Sequence, residues 1–194
     1  MDRFVQAIRR IDQANSADPN VERHEGRDWP AELLYSERMT RWLDRLCPEA
    51  SEALRLAARA QHIRRWEIPR SSYPPGLEGY RAWRTRLYEF HADCAGQILR
   101  EVGYEPATID RVRSLLRKQR LKSDPECQTL EDVICLVFLE SEFSAFAARH
   151  EPDKVVAILR RTWLKMSAMG REHAMRLNLG TRERELIGRA LSKE

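Results

Sequence analysis

Thr129-Leu130-Glu131-Asp132-Val133-Ile134-Cys135-Leu136-Val137-Phe138-Leu139 decides how this chain is read. From Val133 onward every residue is apolar, so no single face of a helix here is set aside for solvent. Such a helix has to be surrounded by other elements. Thr129 opens it, and Asp132 stands at the N3 position of a capping box, spaced to reach back to the Thr129 amide. The run is far below the ~20 residues that cross a bilayer, so it reads as core.

On either side of this stretch the periodicity stays helical. Phe4, Ile8 and Ile11 share one face of a first helix, which breaks at the polar cluster Asn15 to Asn20. Pro30 suits a first turn, followed by Tyr35, Met39, Trp42 and Leu46 at helical spacing until Pro48. A helix from about Ser51 to Trp66 gives way to an extended loop at Pro69, Pro74 and Pro75. From Gly79 a long helix carries Tyr80, Trp83, Leu87, Cys94 and Ile98, with Gly103 as its C′ residue. A basic helix, Arg111 to Lys122, follows Pro106; Val155 to Met166 and Leu186 to Leu191 complete the series. No alternating pattern calls for a sheet. About eight helices with short connections predict an all-α protein, one domain over residues 1–194.

The chain has 194 residues, 42% hydrophobic and 33% charged, with only 8 Gly and 9 Pro, which excludes wholesale disorder. Its net charge of +4 names no partner by itself. Met1-Asp2-Arg3-Phe4 lacks the features of a signal peptide, and no apolar run is long enough for a membrane. Cys47, Cys94, Cys127 and Cys135 have no paired metal spacing, which points to free thiols in a reducing compartment, the cytoplasm.

Three polar residues fall on or beside apolar stripes: His62, His91 and Asp132. Buried ionisable groups are costly unless paired or metal-bound. Two imidazoles and a carboxylate from separate helices would suit a divalent ion such as Zn, Mn or Fe. Taken singly, each has a plain structural reading: a hydrogen-bonded core histidine, or a cap in the case of Asp132. Glu140 lies about 12 Å beyond Asp132 along a helix, too far to share an ion, and reads as a buried partner for an arginine. Around His62 gather Arg59, Arg64, Arg65, Arg70, Arg81 and Arg84, a residue type that grips phosphate and carboxylate. Arg81 reads as solvated, whereas Arg59 and Arg65 lie beside His62 on a helix. Trp66 is placed to line a pocket at a helix end.

The segments Leu34-Tyr35-Ser36-Glu37-Arg38-Met39, Ala57-Ala58-Arg59-Ala60-Gln61-His62, His91-Ala92-Asp93-Cys94 and Leu130-Glu131-Asp132-Val133 resemble the HD-domain superfamily of helical metal-dependent phosphohydrolases. The resemblance covers roughly residues 30–145 and implies an HD-like core with the helices of residues 150–194 packed on it. His62 matches the His of the His-Asp pair, Asp132 the late Asp, and His91 an accessory His. Tyr35 stands where the first metal His is expected, and Ile63 replaces the Asp after His62. A closer resemblance, over nearly the whole chain, is to an uncharacterised bacterial and fungal family often labelled glutamyl-tRNA synthetase. It is carried by Ala60-Gln61-His62-Ile63-Arg64-Arg65-Trp66, Ile68-Pro69-Arg70, Gln128-Thr129-Leu130-Glu131-Asp132 and Thr162-Trp163-Leu164-Lys165-Met166-Ser167. No HIGH-like or KMSKS-like motif supports the synthetase label.

The expectation is an HD-like hydrolase with an altered metal site. His62, His91 and Asp132 would hold a divalent metal ion, with Asp132 and Glu131 as catalytic carboxylates. Arg59, Arg64, Arg65, Arg70, Lys118 and Trp66 would bind a small anionic, phosphorylated substrate. The alternative is a non-catalytic relative that binds an anionic metabolite, a protein partner or RNA. No membrane partner is expected, and nucleic acid is the less favoured ligand.

Overall fold

The computed structural model describes residues 2–121 and 123–192. Helix accounts for 72% and strand for 4% of the chain, with ten α-helices among the described residues. The chain divides into two compact units, Met1–Cys127 and Gln128–Glu194.

In the first unit, α1 (Arg3–Asn15) starts where the Asp2 carboxylate accepts the Phe4 amide at 3.0 Å. Next comes a hairpin, β1 (Val21–His24) and β2 (Arg27–Pro30), paired from Val21↔Pro30 to His24↔Arg27. Its two-residue turn, Glu25-Gly26, has both φ angles positive, as a type I′ turn requires. The sequence reading leaves this hairpin out, because neither strand alternates apolar and polar residues. The helix α2 (Ala31–Leu46) buries Leu34, Tyr35, Met39, Trp42 and Leu43. The helix α3 (Glu52–Arg59) is capped by Ser51 and ends well before Trp66, correcting the longer helix expected there. Residues 60–64 make turns, and short 3-10 turns follow at Arg65–Glu67 and Arg70–Ser72.

The helix α4 (Gly76–Glu101) buries Trp83, Leu87, His91, Ala95 and Leu99, a stripe repeating every four residues. Tyr80, Cys94 and Ile98 lie off this stripe, so the buried face is rotated from the expected one and runs through His91. Its end is a Schellman motif: Gly103 N donates to Arg100 O and Tyr104 N to Leu99 O, with Gly103 at φ +86°. The helix α5 (Pro106–Leu116) packs on α4 and α3. It stops at Leu116, short of the expected Arg111 to Lys122 span; Lys122 lies outside the described residues.

The helix α6 (Pro125–Val137) begins in the first unit and continues in the second. It starts one turn before Thr129. Asp124 is its cap, accepting the amides of Glu126 (3.0 Å) and Cys127 (3.3 Å), with Pro125 at the first helical position. Val133, Leu136 and Val137 are fully buried, as an all-apolar helix must be. A π-turn, Phe138–Glu142, leads into α7 (Phe143–Ala148), and Glu140 on it is exposed, not buried. Then come α8 (Pro152–Lys165), α9 (Ala168–Met175) and α10 (Thr181–Leu191), with α10 packed on α8 and α7. The short helices α7 and α9 are the two beyond the expected eight. No helix among the described residues is long and apolar enough to cross a membrane.

Candidate functional site: a buried histidine pair

Where α3 ends, the chain turns inward and carries His62 and Ile63 into the first unit. Tyr35 of α2 stacks on His62 with ring centroids 3.9 Å apart and planes 11° from parallel. His91 lies beyond, its centroid 5.9 Å from that of His62. Tyr35, read from sequence as the lost metal position, therefore forms one wall of the His62 site.

The hydrogen bonds select the tautomer of His91, while His62 is contacted from two sides. Glu32, one helical turn before Tyr35, lies 3.2 Å from His62 Nδ1. Arg65 Nη1 lies 3.1 Å from His62 Nδ1 and 3.2 Å from Nε2, so it faces both ring nitrogens. His91 Nδ1–H donates to the Ile63 carbonyl at 2.9 Å. His91 Nε2 is left as an acceptor, buried and without a hydrogen-bond partner. His91 is 2% exposed and the His62 side chain 12%.

Both imidazoles are neutral. Burial is the first cause, pushing His91 down to about 3 and His62 well below its ordinary value. The positive charges of Arg65 and Arg84 push the same way on both rings, and Lys118 adds to the effect on His62. These cations come from three places: the 3-10 turn after His62, the middle of α4, and the turn after α5. Arg65 lies over the Trp83 ring (5.1 Å to the centroid); Arg84 donates to the Tyr88 hydroxyl at 2.7 Å; Lys118 sits 5.5 Å from the Tyr88 ring centre. Arg64 and Lys118 both have left-handed backbone, φ +53° and +56°. That conformation costs about 1–2 kcal/mol for a residue with a Cβ, and such strain gathers where side chains must be aimed.

The other expected anion-binding residues are placed differently. Arg59 is buried and forks onto Asp12 (2.6 and 2.8 Å), while also donating to Glu37 (2.5 Å) and Thr40. Arg64 pairs with Glu67 at 2.6 Å. Arg70 holds the proline loop together by donating to the carbonyls of Tyr73, Pro74 and Gly76. Trp66 is half-buried in its 3-10 turn. On the basic helix, Arg111 is bound by Asp124 and Glu126, Arg113 by Asp93 and Arg117 by Glu89.

Asp132 and Glu131 belong to the second unit and serve a different structure there. The Asp132 carboxylate, 1% exposed, accepts from the Ser167 amide (2.8 Å), the Ser167 hydroxyl (2.5 Å) and the Gln128 amide (3.1 Å). Ser167 Oγ in turn caps α9 by accepting the Gly170 amide at 3.1 Å. Gly170 is needed there, since a Cβ would fall 2.7 Å from Asp132 Cγ. Buried Glu131 faces Lys165 Nζ at 3.7 Å, and Gln128 donates to the Lys165 carbonyl. Asp132 is thus bound to the start of another helix, and the Thr129 capping box does not arise.

No group of three or more His, Cys, Asp or Glu is placed to hold a metal ion among the described residues. His91 Nε2 has the lone pair a metal would need. Arg65 is in contact with His62, and Ser167 with Asp132.

Sequence reasoning missed Glu32, Trp83 and Tyr88. Glu32 had a signal: three residues before Tyr35, it shares a helix face with the ring that stacks on His62.

The first unit therefore defines a helical scaffold that buries a pair of neutral imidazoles, with Arg65 against His62. Residues 5–187 match the family described as domain of unknown function (DUF4202), and the chain belongs to it. No curated protein and no solved structure gives a significant match.

Proposed function

We propose that this is an HD-like cytoplasmic protein whose first unit binds a small anionic, phosphorylated ligand at the His62–His91 pair. One observation supports this above the others: Arg65 and Arg84 act on both of two imidazoles that burial keeps neutral, and Lys118 acts on His62 as well. Arg65 Nη1 lies within 3.1–3.2 Å of both ring nitrogens of His62, and Glu32 is the carboxylate placed against the same ring. An anion entering there gains from charges that a low-dielectric setting screens poorly. The arginines of the basic helix are engaged by carboxylates, which favours a small ligand over RNA.

Calorimetric titration with inorganic phosphate in the presence of a chelator tests the reading. Binding that persists under chelation and weakens in Arg65→Met and Lys118→Met supports it. No binding, or binding indifferent to both substitutions, overturns it.

A second reading, metal-dependent hydrolysis with Asp132 and Glu131 as catalytic carboxylates, draws on the lone pair of His91 Nε2. It requires Asp132 to leave Ser167. Metal analysis of protein expressed with added Zn, Mn or Fe decides it: close to one equivalent supports hydrolysis, and less than about a tenth counts against it.

A further inference from the structure

The chain that leads into α4 is braced more firmly than an exposed loop requires. Arg70 donates to the carbonyls of Tyr73, Pro74 and Gly76 at 2.9, 2.8 and 3.3 Å. Gly79 lets the helix close on the loop, since a Cβ there would fall 2.0 Å from the Pro74 carbonyl oxygen. Yet the side chains that this bracing sets in place face solvent: Pro74 and Pro75 are exposed, Leu77 is 55% exposed and Tyr80 44%. An apolar surface already ordered in this way loses little further entropy when a partner covers it.

Charge indicates the kind of partner. Leu77, Tyr80, Arg81, Arg84 and Tyr88 stand at i, i+3, i+4, i+7 and i+11, one face of α4. It borders the buried stripe, with the Tyr80 ring 5.9 Å from that of Trp83. No residue of this face is acidic; Glu78 and Glu89 stand off it, and Glu89 is bound to Arg117. Arg81 is exposed and carries no ion pair among the described residues. Arg84 and Lys118 have contacts of their own, both lying over the Tyr88 ring. Tyr88 is thereby covered and Tyr80 is the ring of this face left open, whereas a nucleic-acid strand is held by successive open rings.

We propose that Pro74, Pro75, Leu77, Tyr80 and Arg81 form a docking surface for an acidic peptide segment of a partner protein. An apolar side chain of that segment sits over Leu77 and Tyr80, and a carboxylate meets Arg81. Tyrosine and arginine side by side are residue types on which protein interfaces concentrate their affinity. The surface is reached without any opening of the fold, and it does not include the His62–His91 pair.

Fluorescence anisotropy at fixed ionic strength tests this with a labelled twelve-residue peptide that carries two leucines one helical turn apart among glutamates. Saturable binding below about 1 mM is expected. Replacing both leucines by serine, or the glutamates by glutamine, should weaken it about tenfold, since half of the contact is then lost. Tyr80→Ala and Arg81→Gln, both at exposed positions, should each weaken it about tenfold. Arg86→Gln makes the same charge change on another exposed side of α4 and should leave affinity within about twofold. On the unaltered chain, the peptide should shift the amide NMR signals of Leu77, Tyr80 and Arg81 and leave those of α10 in place. No saturable binding, equal binding by the serine peptide, or equal losses in Arg81→Gln and Arg86→Gln overturns the docking surface. Oligouridylate or phosphatidylserine vesicles binding more tightly than the peptide, and losing that affinity in Tyr80→Ala, overturns the choice of partner.

Discussion

Acidification from about pH 7 to about pH 5 is expected to destabilise this protein by an amount set by two residues. The unfolded chain binds a proton on each imidazole with an ordinary value near 6.5, whereas folded His91 resists protonation down to about 3 and His62 is lowered well below its ordinary value. A histidine held low in the fold contributes stability above its unfolded value, and that contribution is lost as pH falls towards the folded one. The slope is about 1.36 kcal/mol per pH unit, so His91 gives up about 2 kcal/mol by about pH 5, and the lowered His62 adds a loss in the same direction. The His91 loss alone is a sizeable share of the ~5–15 kcal/mol typical of a domain. The carboxylates held low, Glu37 and Glu183 and Asp124 at about 2, lose their contribution only in more acid solution. Urea unfolding across this window at fixed ionic strength measures the effect, with His91→Phe as the control expected to show a clearly smaller loss. A flat profile in the unaltered chain, or an undiminished slope in His91→Phe, refutes the assignment of two buried neutral imidazoles.

Other outcomes follow from particular contacts. Gly170→Ala places a methyl 2.7 Å from the Asp132 carboxylate, so thermal unfolding should show a loss of about 1–3 kcal/mol. Ser167→Ala removes both the hydroxyl on Asp132 and the cap of α9, for about 1–2 kcal/mol by the same measurement. Arg59→Met leaves Asp12 and Glu37 without their shared cation and should cost about 3–5 kcal/mol in urea unfolding, with phosphate affinity per folded molecule unchanged. Lys118→Gly relieves a left-handed backbone, so stability should hold or rise by about 1 kcal/mol while phosphate affinity falls in calorimetry.

What the sequence discloses depends on whether the deciding contact is local. The end of α4 was legible because Gly103 alone can follow such a helix easily, and the Schellman bonds form around it. The surrounded helix was legible because Val133 to Leu139 leaves no polar face. The end of α3 was not, since nothing in Ala60-Gln61-His62-Ile63 forbids another turn of helix. Distant partners end it: Asn15 Oδ1 takes the Arg64 amide at 3.0 Å, and His91 takes the Ile63 carbonyl. The start of α6 was misplaced by the attraction of Thr129, although Asp124-Pro125 carries the stronger signal of a cap followed by a first-turn proline. At the site, His62 and His91 stood out because imidazoles interrupt apolar stripes. Glu32 did not, because a carboxylate in the first turn of a helix is what the helix dipole favours in any case. Asp132 stood out for the same reason as the histidines, yet its partner, Ser167, lies 35 residues away.

The turn between α3 and the proline loop is fastened at Arg64 N, at the Ile63 carbonyl and at the Ile68 carbonyl, which accepts from Trp83 Nε1 at 2.8 Å. Irregular chain is usually the quickest part of a protein to exchange its amide protons. Here the order is inverted: the Arg64 amide should exchange about as slowly as the helices that hold it, opening only with the first unit as a whole. A ligand at His62 then meets groups that gave up their freedom when the chain folded, and little further entropy is lost in binding.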